Sequence, residues 1–106
     1  MTDAELEYHA VAKTSDVDDD EVMAVSIGRL DIGIYKLKGE IYALGDICTH
    51  AYASMADGFQ EGVEIECPLH EGRFNIKTGK ALCAPVTEGL QTYEVKVDGG
   101  AVFVKI

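Results

Sequence analysis

Cys48-Thr49-His50 and, after sixteen intervening residues, Cys67-Pro68-Leu69-His70 are the stretches on which the reading of this 106-residue chain turns. Each offers one thiolate and one imidazole. Thiolate sulfur and imidazole nitrogen suit a soft metal centre, and two separate loops can close a coordination shell that neither would close alone. The spacings, C-x-H and C-x-x-H, differ from the C-x2-C and H-x3-5-H runs of ordinary structural zinc sites. That difference favours another metal.

If each loop gives its Cys to one iron and its His to a second, the product is a [2Fe-2S] cluster with two Cys on one side and two His on the other. Structural zinc is the competing metal and would make the chain a binding module; colour separates the two, because zinc is spectroscopically silent. A Cys-His nucleophile is a third reading. It requires an accessible low-pKa thiolate with a positioned base, and matched pairs with no third orienting group do not supply that.

The chain resembles the Rieske ferredoxins, and among them the ferredoxin components of bacterial aromatic-ring dioxygenases of the naphthalene dioxygenase type. The likeness is carried by Gly39-Glu40-Ile41-Tyr42-Ala43, Cys48-Thr49-His50-Ala51, Glu64-Ile65-Glu66-Cys67-Pro68-Leu69-His70, Gly72-Arg73-Phe74 and Thr78-Gly79-Lys80-Ala81-Leu82-Cys83-Ala84-Pro85-Val86. It covers roughly residues 30 to 106. The resemblance implies one Rieske-type [2Fe-2S] cluster per chain, with Cys48 and Cys67 on the inner iron and His50 and His70 on the outer. It also implies a one-electron carrier that transforms no substrate itself, with a flavin-containing reductase and a terminal Rieske oxygenase as partners. A close alternative is a small Rieske subunit acting as a fixed relay in another oxidoreductase, such as an assimilatory nitrite reductase.

Composition sets further bounds. At 106 residues the chain is expected to be a single domain with a core that needs no disulfide staples, and a monomer. Nineteen acidic against nine basic residues give a formal charge of −10, which repels phosphate backbones and attracts basic protein surfaces. Nucleic acid is therefore not an expected partner. Apolar runs are short and the first residues, Met1-Thr2-Asp3-Ala4-Glu5, are acidic where a secretory signal is basic and then hydrophobic. A cytoplasmic protein without membrane attachment is the expectation. With Cys48 and Cys67 given to metal, only Cys83 remains, so no internal disulfide is expected, as suits a reducing compartment.

In chain order, alternation and turn residues predict an all-β fold, an antiparallel sandwich or small barrel. Residues 8 to 13 form a first strand, and Ser15-Asp16-Val17-Asp18-Asp19-Asp20-Glu21 reads as a solvated acidic turn or, less simply, a docking patch. Val22 to Ile27 reads as a strand buried on both faces, and residues 29 to 45 as a hairpin turning at Lys38-Gly39. Val63 to Glu66 is a short strand feeding Cys67; Arg73 to Ile76 with a turn at Lys77-Thr78-Gly79 suggests another hairpin. Leu90 to Val97 and Ala101 to Ile106, joined by Asp98-Gly99-Gly100, form the last. The ligand pairs fall in an inserted cluster-binding subdomain spanning about residues 46 to 83.

Four single residues carry narrower expectations. His9 reads as an ordinary half-buried histidine of the first strand, and Cys83 as a small hydrophobe near the cluster. Pro85 resembles the proline of a third loop covering the cluster. Arg73 is either a docking group or an ion-pair partner. High-potential Rieske proteins, similar only in the ligand loops, add a disulfide at positions matching Ala53 and Leu69, and hydroxyl donors at positions matching Gly72 and Phe74. By that resemblance this chain lacks both devices, and its potential is expected near the low end of the Rieske range.

Overall fold

The computed structural model describes residues 8–19, 21–48, 53–69, 72–83 and 88–106. Among them are nine strands: β1 (Tyr8–Lys13), β2 (Met23–Ile27), β3 (Leu30–Leu37), β4 (Glu40–Gly45), β5 (Phe59–Glu61), β6 (Glu64–Glu66), β7 (Arg73–Asn75), β8 (Thr92–Asp98) and β9 (Ala101–Lys105). Two short 3-10 turns, Thr14–Asp16 and Met55–Asp57, are the helical segments among these residues. Six strands pair in the order β1-β9-β8-β4-β3-β2, and β5-β6-β7 form a second, smaller sheet. Every strand pair is antiparallel.

The six-stranded sheet is curled into a nearly closed barrel because all six strands send apolar side chains into one core. Val11 and Ala12 come from β1, Val25 and Ile27 from β2, and Ile32 and Ile34 from β3. Ala43 of β4, Val95 of β8 and Val104 of β9 complete the ring. Val17 plugs this core at 1% exposure, so the acidic run carries a buried anchor that its charge pattern concealed. The β4–β8 ladder is short, with Ala43 opposite Tyr93 and Leu44 opposite Thr92, and it connects the two hairpin systems.

A second core lies between the outer face of β3 and β4 and the small sheet. Tyr35 and Leu44 meet Ile65 of β6 and Phe74 of β7 there, together with Met55, Ile76 and Leu90. The strand buried on both faces is therefore β3, with Ile32, Ile34 and Tyr35 each at 0% exposure, and not β2. In β2, Ala24 and Ser26 are exposed, because β2 ends the sheet order and only its alternate residues face the barrel. Both strands are apolar runs, and hydrophobicity alone does not say which one a second sheet will cover.

Tyr35 lies in the space left by Gly33, where a Cβ would stand 3.1 Å from the Tyr35 ring and 3.2 Å from an Asp46 carboxylate oxygen. Its hydroxyl is buried and has no hydrogen-bond partner among the described residues. Burial, and secondarily the nearby Asp46 charge, raise its pKa, so it remains a neutral phenol. Leaving a buried hydroxyl unbonded costs about 1–3 kcal/mol. Tyr35→Phe is therefore expected to stabilise the fold by about 1 kcal/mol, seen as a rise in urea midpoint at unchanged slope. A fall in midpoint would mean that the hydroxyl is bonded, through a buried water, in solution.

Candidate metal centre

The two Cys occupy equivalent positions in two loops of the same size. The Cys48 N–H donates to the Ala53 carbonyl at 2.9 Å, and the Cys67 N–H donates to the Gly72 carbonyl at 2.7 Å. In both cases the bond closes the chain onto the residue five positions on. His50 and His70 each fall inside such a closure by sequence, although both lie outside the described residues, as does Pro85. The first loop is flanked by an antiparallel bridge between Ile47 and Ser54; the second opens directly from β6 and returns into β7.

Gly58 brings the loops together. A Cβ there would stand 2.1 Å from the Glu66 carbonyl and 3.1 Å from that of Met55, so only glycine allows the exit of the first loop to lie against the residue before Cys67. Asp57-Gly58 reads as a turn in the sequence, but this close approach is not legible there. A similar constraint narrows the neck of the third loop. The Leu90 N–H donates to the Gly79 carbonyl at 2.7 Å, and a Cβ on Gly79 would meet the Leu90 carbonyl at 2.3 Å.

Cys48 and Cys67 are 5% and 1% exposed and belong to the second core, alongside Ala53, Met55, Phe74 and Leu90. Two thiols in one dry apolar cluster, borne on paired loops, fit a sulfur-ligated centre with water excluded from its inner side. Among the described residues no set of three His, Cys, Asp or Glu forms a metal site.

Asp46 lies two residues before Cys48 and is 3% exposed. It accepts a hydrogen bond from the Ser54 hydroxyl and another from the Ala56 N–H at 3.0 Å. Burial raises its pKa, those two hydrogen bonds oppose the rise, and the charges of Asp31 and Asp57 add to it. Sequence reasoning passed over Asp46 and Ser54. The available signal was an acidic residue directly following an otherwise apolar strand.

The outer face of the small sheet is acidic. Arg73 lies opposite Glu66 across the β6–β7 ladder and pairs with it at 3.0 Å, and with Glu64 at 3.4 Å. The hydrogen bonds that the guanidinium donates to these carboxylates, Glu64 first, hold it firmly charged. With Phe59 and Glu61 they line a shallow depression of about 340 Å³. Arg73 is thus an ion-pair partner. Cys83 is exposed, not a buried hydrophobe, since it follows the Leu82 pairing to Arg73 at the start of the third loop. His9 is also exposed, not half-buried, as is Ala10 beside the register shift of β1 between Ala10 and Ala12.

Two buried Cys on paired loops, between a small sheet and a barrel, suit the class of sulfur-ligated metal proteins, and comparison with known proteins makes the class specific. The model of the Rieske [2Fe-2S] domain matches residues 7–94. The naphthalene 1,2-dioxygenase system ferredoxin component of Pseudomonas aeruginosa is 47% identical over 91 residues, spanning 86% of this chain and 88% of that one. The Sphingomonas yanoikuyae B1 ferredoxin superposes with a TM-score of 0.89 at 33% identity, covering 92% of this chain and 97% of the other. A ferredoxin solved as the oxidised partner of reduced oxygenase in carbazole 1,9a-dioxygenase gives a TM-score of 0.88 at 35% identity, with 93% of each chain covered. The chain belongs to the Rieske [2Fe-2S] family. Its cofactor is a Rieske-type [2Fe-2S] cluster.

Proposed function

We propose that this protein is the ferredoxin component of a multicomponent aromatic-ring-hydroxylating dioxygenase, accepting single electrons from a flavin-containing reductase and delivering them to a terminal oxygenase. The observation that carries this reading is the pair of buried thiols on matched loops, both turned into one apolar core. In this reading Cys48 and Cys67 hold the inner iron, His50 and His70 the outer one, and residues 46 to 83 form the cluster-binding subdomain of a single domain. When bound, the cluster takes up and gives back one electron. The chain's own residues exclude water from the thiolate side and present a partner-accessible surface around the second and third loops. Leu69, 61% exposed, and Leu82, 44% exposed, supply apolar contact there. The protein is a carrier and not itself an enzyme. A monomer working in the cytoplasm, where reductase and oxygenase meet, completes the proposal.

The test is reconstitution: purified holoprotein added to a flavin reductase and an aromatic-ring oxygenase is expected to restore NAD(P)H-dependent product formation, saturably and without stable association. Co-purification in a fixed ratio with one large subunit, and no turnover when the protein is added in free form, would replace the carrier reading with a fixed relay. A charge of −10 also predicts electrostatic steering towards basic partner surfaces. Second-order electron-transfer rates are expected to fall about tenfold or more as ionic strength rises from roughly 0.05 to 0.5 M, because the Debye length shrinks from above 10 Å to well below it. A flat salt dependence with both partners would leave apolar contact as the main determinant.

A further inference from the structure

We propose that Asp46 is the positioning residue of the first ligand loop, acting through Cys48 and His50 without touching the cluster. The proposal rests on the assignment of those two residues as ligands. Asp46 is joined to its surroundings at four points. Its carboxylate accepts from the Ser54 hydroxyl and from the Ala56 N–H at 3.0 Å, its carbonyl accepts from the Met55 N–H at 2.6 Å, and its own N–H donates to the Asp31 carbonyl at 2.9 Å. The last bond ties it to the barrel strand β3; the other three tie it to the far side of the loop. Ser54 closes the Ile47 bridge, and the 3-10 turn beginning at Met55 leads into Gly58 and its contact with Glu66 beside Cys67. One side chain thus clamps both ends of the loop that carries Cys48 and His50, at the base from which the second loop is also reached.

Burial makes the arrangement costly unless the bonds it permits are needed. A carboxylate at 3% exposure has lost most of its hydration, and the hydrogen-bond partners found for this one are a hydroxyl and a backbone N–H, not a cation. Charge-assisted hydrogen bonds are about twice as strong as neutral ones, and two hydrogen bonds to the Asp46 carboxylate reach Ser54 and Ala56 on the far side of the loop. The Asp46 side chain therefore adds two bonds across the loop to the backbone bonds that close it, and the placement of its thiolate and imidazole depends on both.

The test uses holoprotein of the parent and of Asp46→Ala, Asp46→Asn, Ser54→Ala and Cys48→Ala. The readouts are the reduced-state electron paramagnetic resonance spectrum and the rate of iron loss to a chelator. Asp46→Ala is expected to shift and broaden the spectrum and to speed iron loss about tenfold or more, the factor that losing one charge-assisted hydrogen bond represents. Asp46→Asn is expected to restore the parental spectrum and most of the retention, because its amide oxygen can accept from Ala56 while its NH2 donates to the Ser54 hydroxyl. Ser54→Ala removes one arm and is expected to fall between. Should Asp46→Ala not fold, the Asn and Ser54 variants carry the test alone. Parental spectra and iron loss in both Asp46→Ala and Ser54→Ala, or Asp46→Asn impaired as badly as Ala, would overturn the proposal. Full iron in Cys48→Ala would instead overturn the ligand assignment on which it rests.

Discussion

Replacing His50 and His70 together by cysteine is expected to lower the reduction potential of the holoprotein by roughly 250 mV. Rieske centres begin at about −150 mV, whereas all-cysteine plant-type [2Fe-2S] centres lie at about −400 mV. The physical cause is charge. Neutral imidazole, with His50 and His70 as the proposed outer ligands, would leave the site less negative than thiolate does, so an added electron would meet less repulsion; two further thiolates would reverse that advantage. The loops suit the exchange, since each is closed by a Cys N–H bond to the residue five positions on, independently of the residue at the His position. Cys48→Ala and Cys67→Ala are expected to do more and abolish iron incorporation, because each would remove one of the two proposed inner thiolate ligands from a largely apolar core. Iron analysis, voltammetry and paramagnetic resonance provide the check. A His-to-Cys double variant with the parental potential, or alanine variants of either Cys with full iron, would remove these four residues from the site.

The second large effect concerns donors to the cluster sulfurs. The parent is expected near the low end of the Rieske range, about −150 mV, because Gly72 and Phe74, which the resemblance matches to the hydroxyl-bearing positions of high-potential relatives, offer no side-chain hydroxyl. Reduction adds negative charge, so a hydroxyl donor favours the reduced form and raises the potential. A hydrogen bond to a charged group contributes about 1.5–3 kcal/mol, of which only part differs between redox states, and about 59 mV corresponds to a tenfold change for one electron. Gly72→Ser and Phe74→Tyr are therefore each expected to raise the potential by tens of millivolts, and additively if their donors reach different sulfurs. The positions are well placed for it. The Gly72 carbonyl accepts the Cys67 N–H, and Phe74, at 0% exposure, shares the core of both Cys while its neighbour Arg73 faces the other side of β7. Voltammetry of folded variants decides: a clearly positive parent, or variants with donors in place and no upward shift, would assign the poise to something other than hydroxyl donation.

Asp46 and Gly58 mark the boundary between what could be read from the sequence and what could not. The chemistry was local and so legible: Cys and His at short spacing, turn residues around them, and a family pattern running through Thr78-Gly79-Lys80. Strands with clear period-two alternation were legible for the same reason. Tyr8–Lys13, the β3–β4 hairpin at Lys38-Gly39 and the β8–β9 hairpin at Asp98-Gly99-Gly100 all form where alternation and turn residues place them.

What the tertiary structure decided are relations between distant segments. Two apolar strands, β2 and β3, look alike in sequence, and only the docking of the small sheet makes β3 the one covered on both sides. Val17 is buried inside an acidic run because the barrel needs a plug there, and Cys83 is exposed because its chain has already left the core at Leu82. C-x-H and C-x-x-H look like unequal loops, yet both close at the fifth residue after Cys through backbone bonds that no side-chain pattern encodes. Residue types and their spacing determine which atoms can bind a soft metal. Whether those atoms converge depends on backbone approaches such as Gly58 against Glu66, and on the burial of one carboxylate at Asp46, and these exist only once the loops and strands around them have packed together.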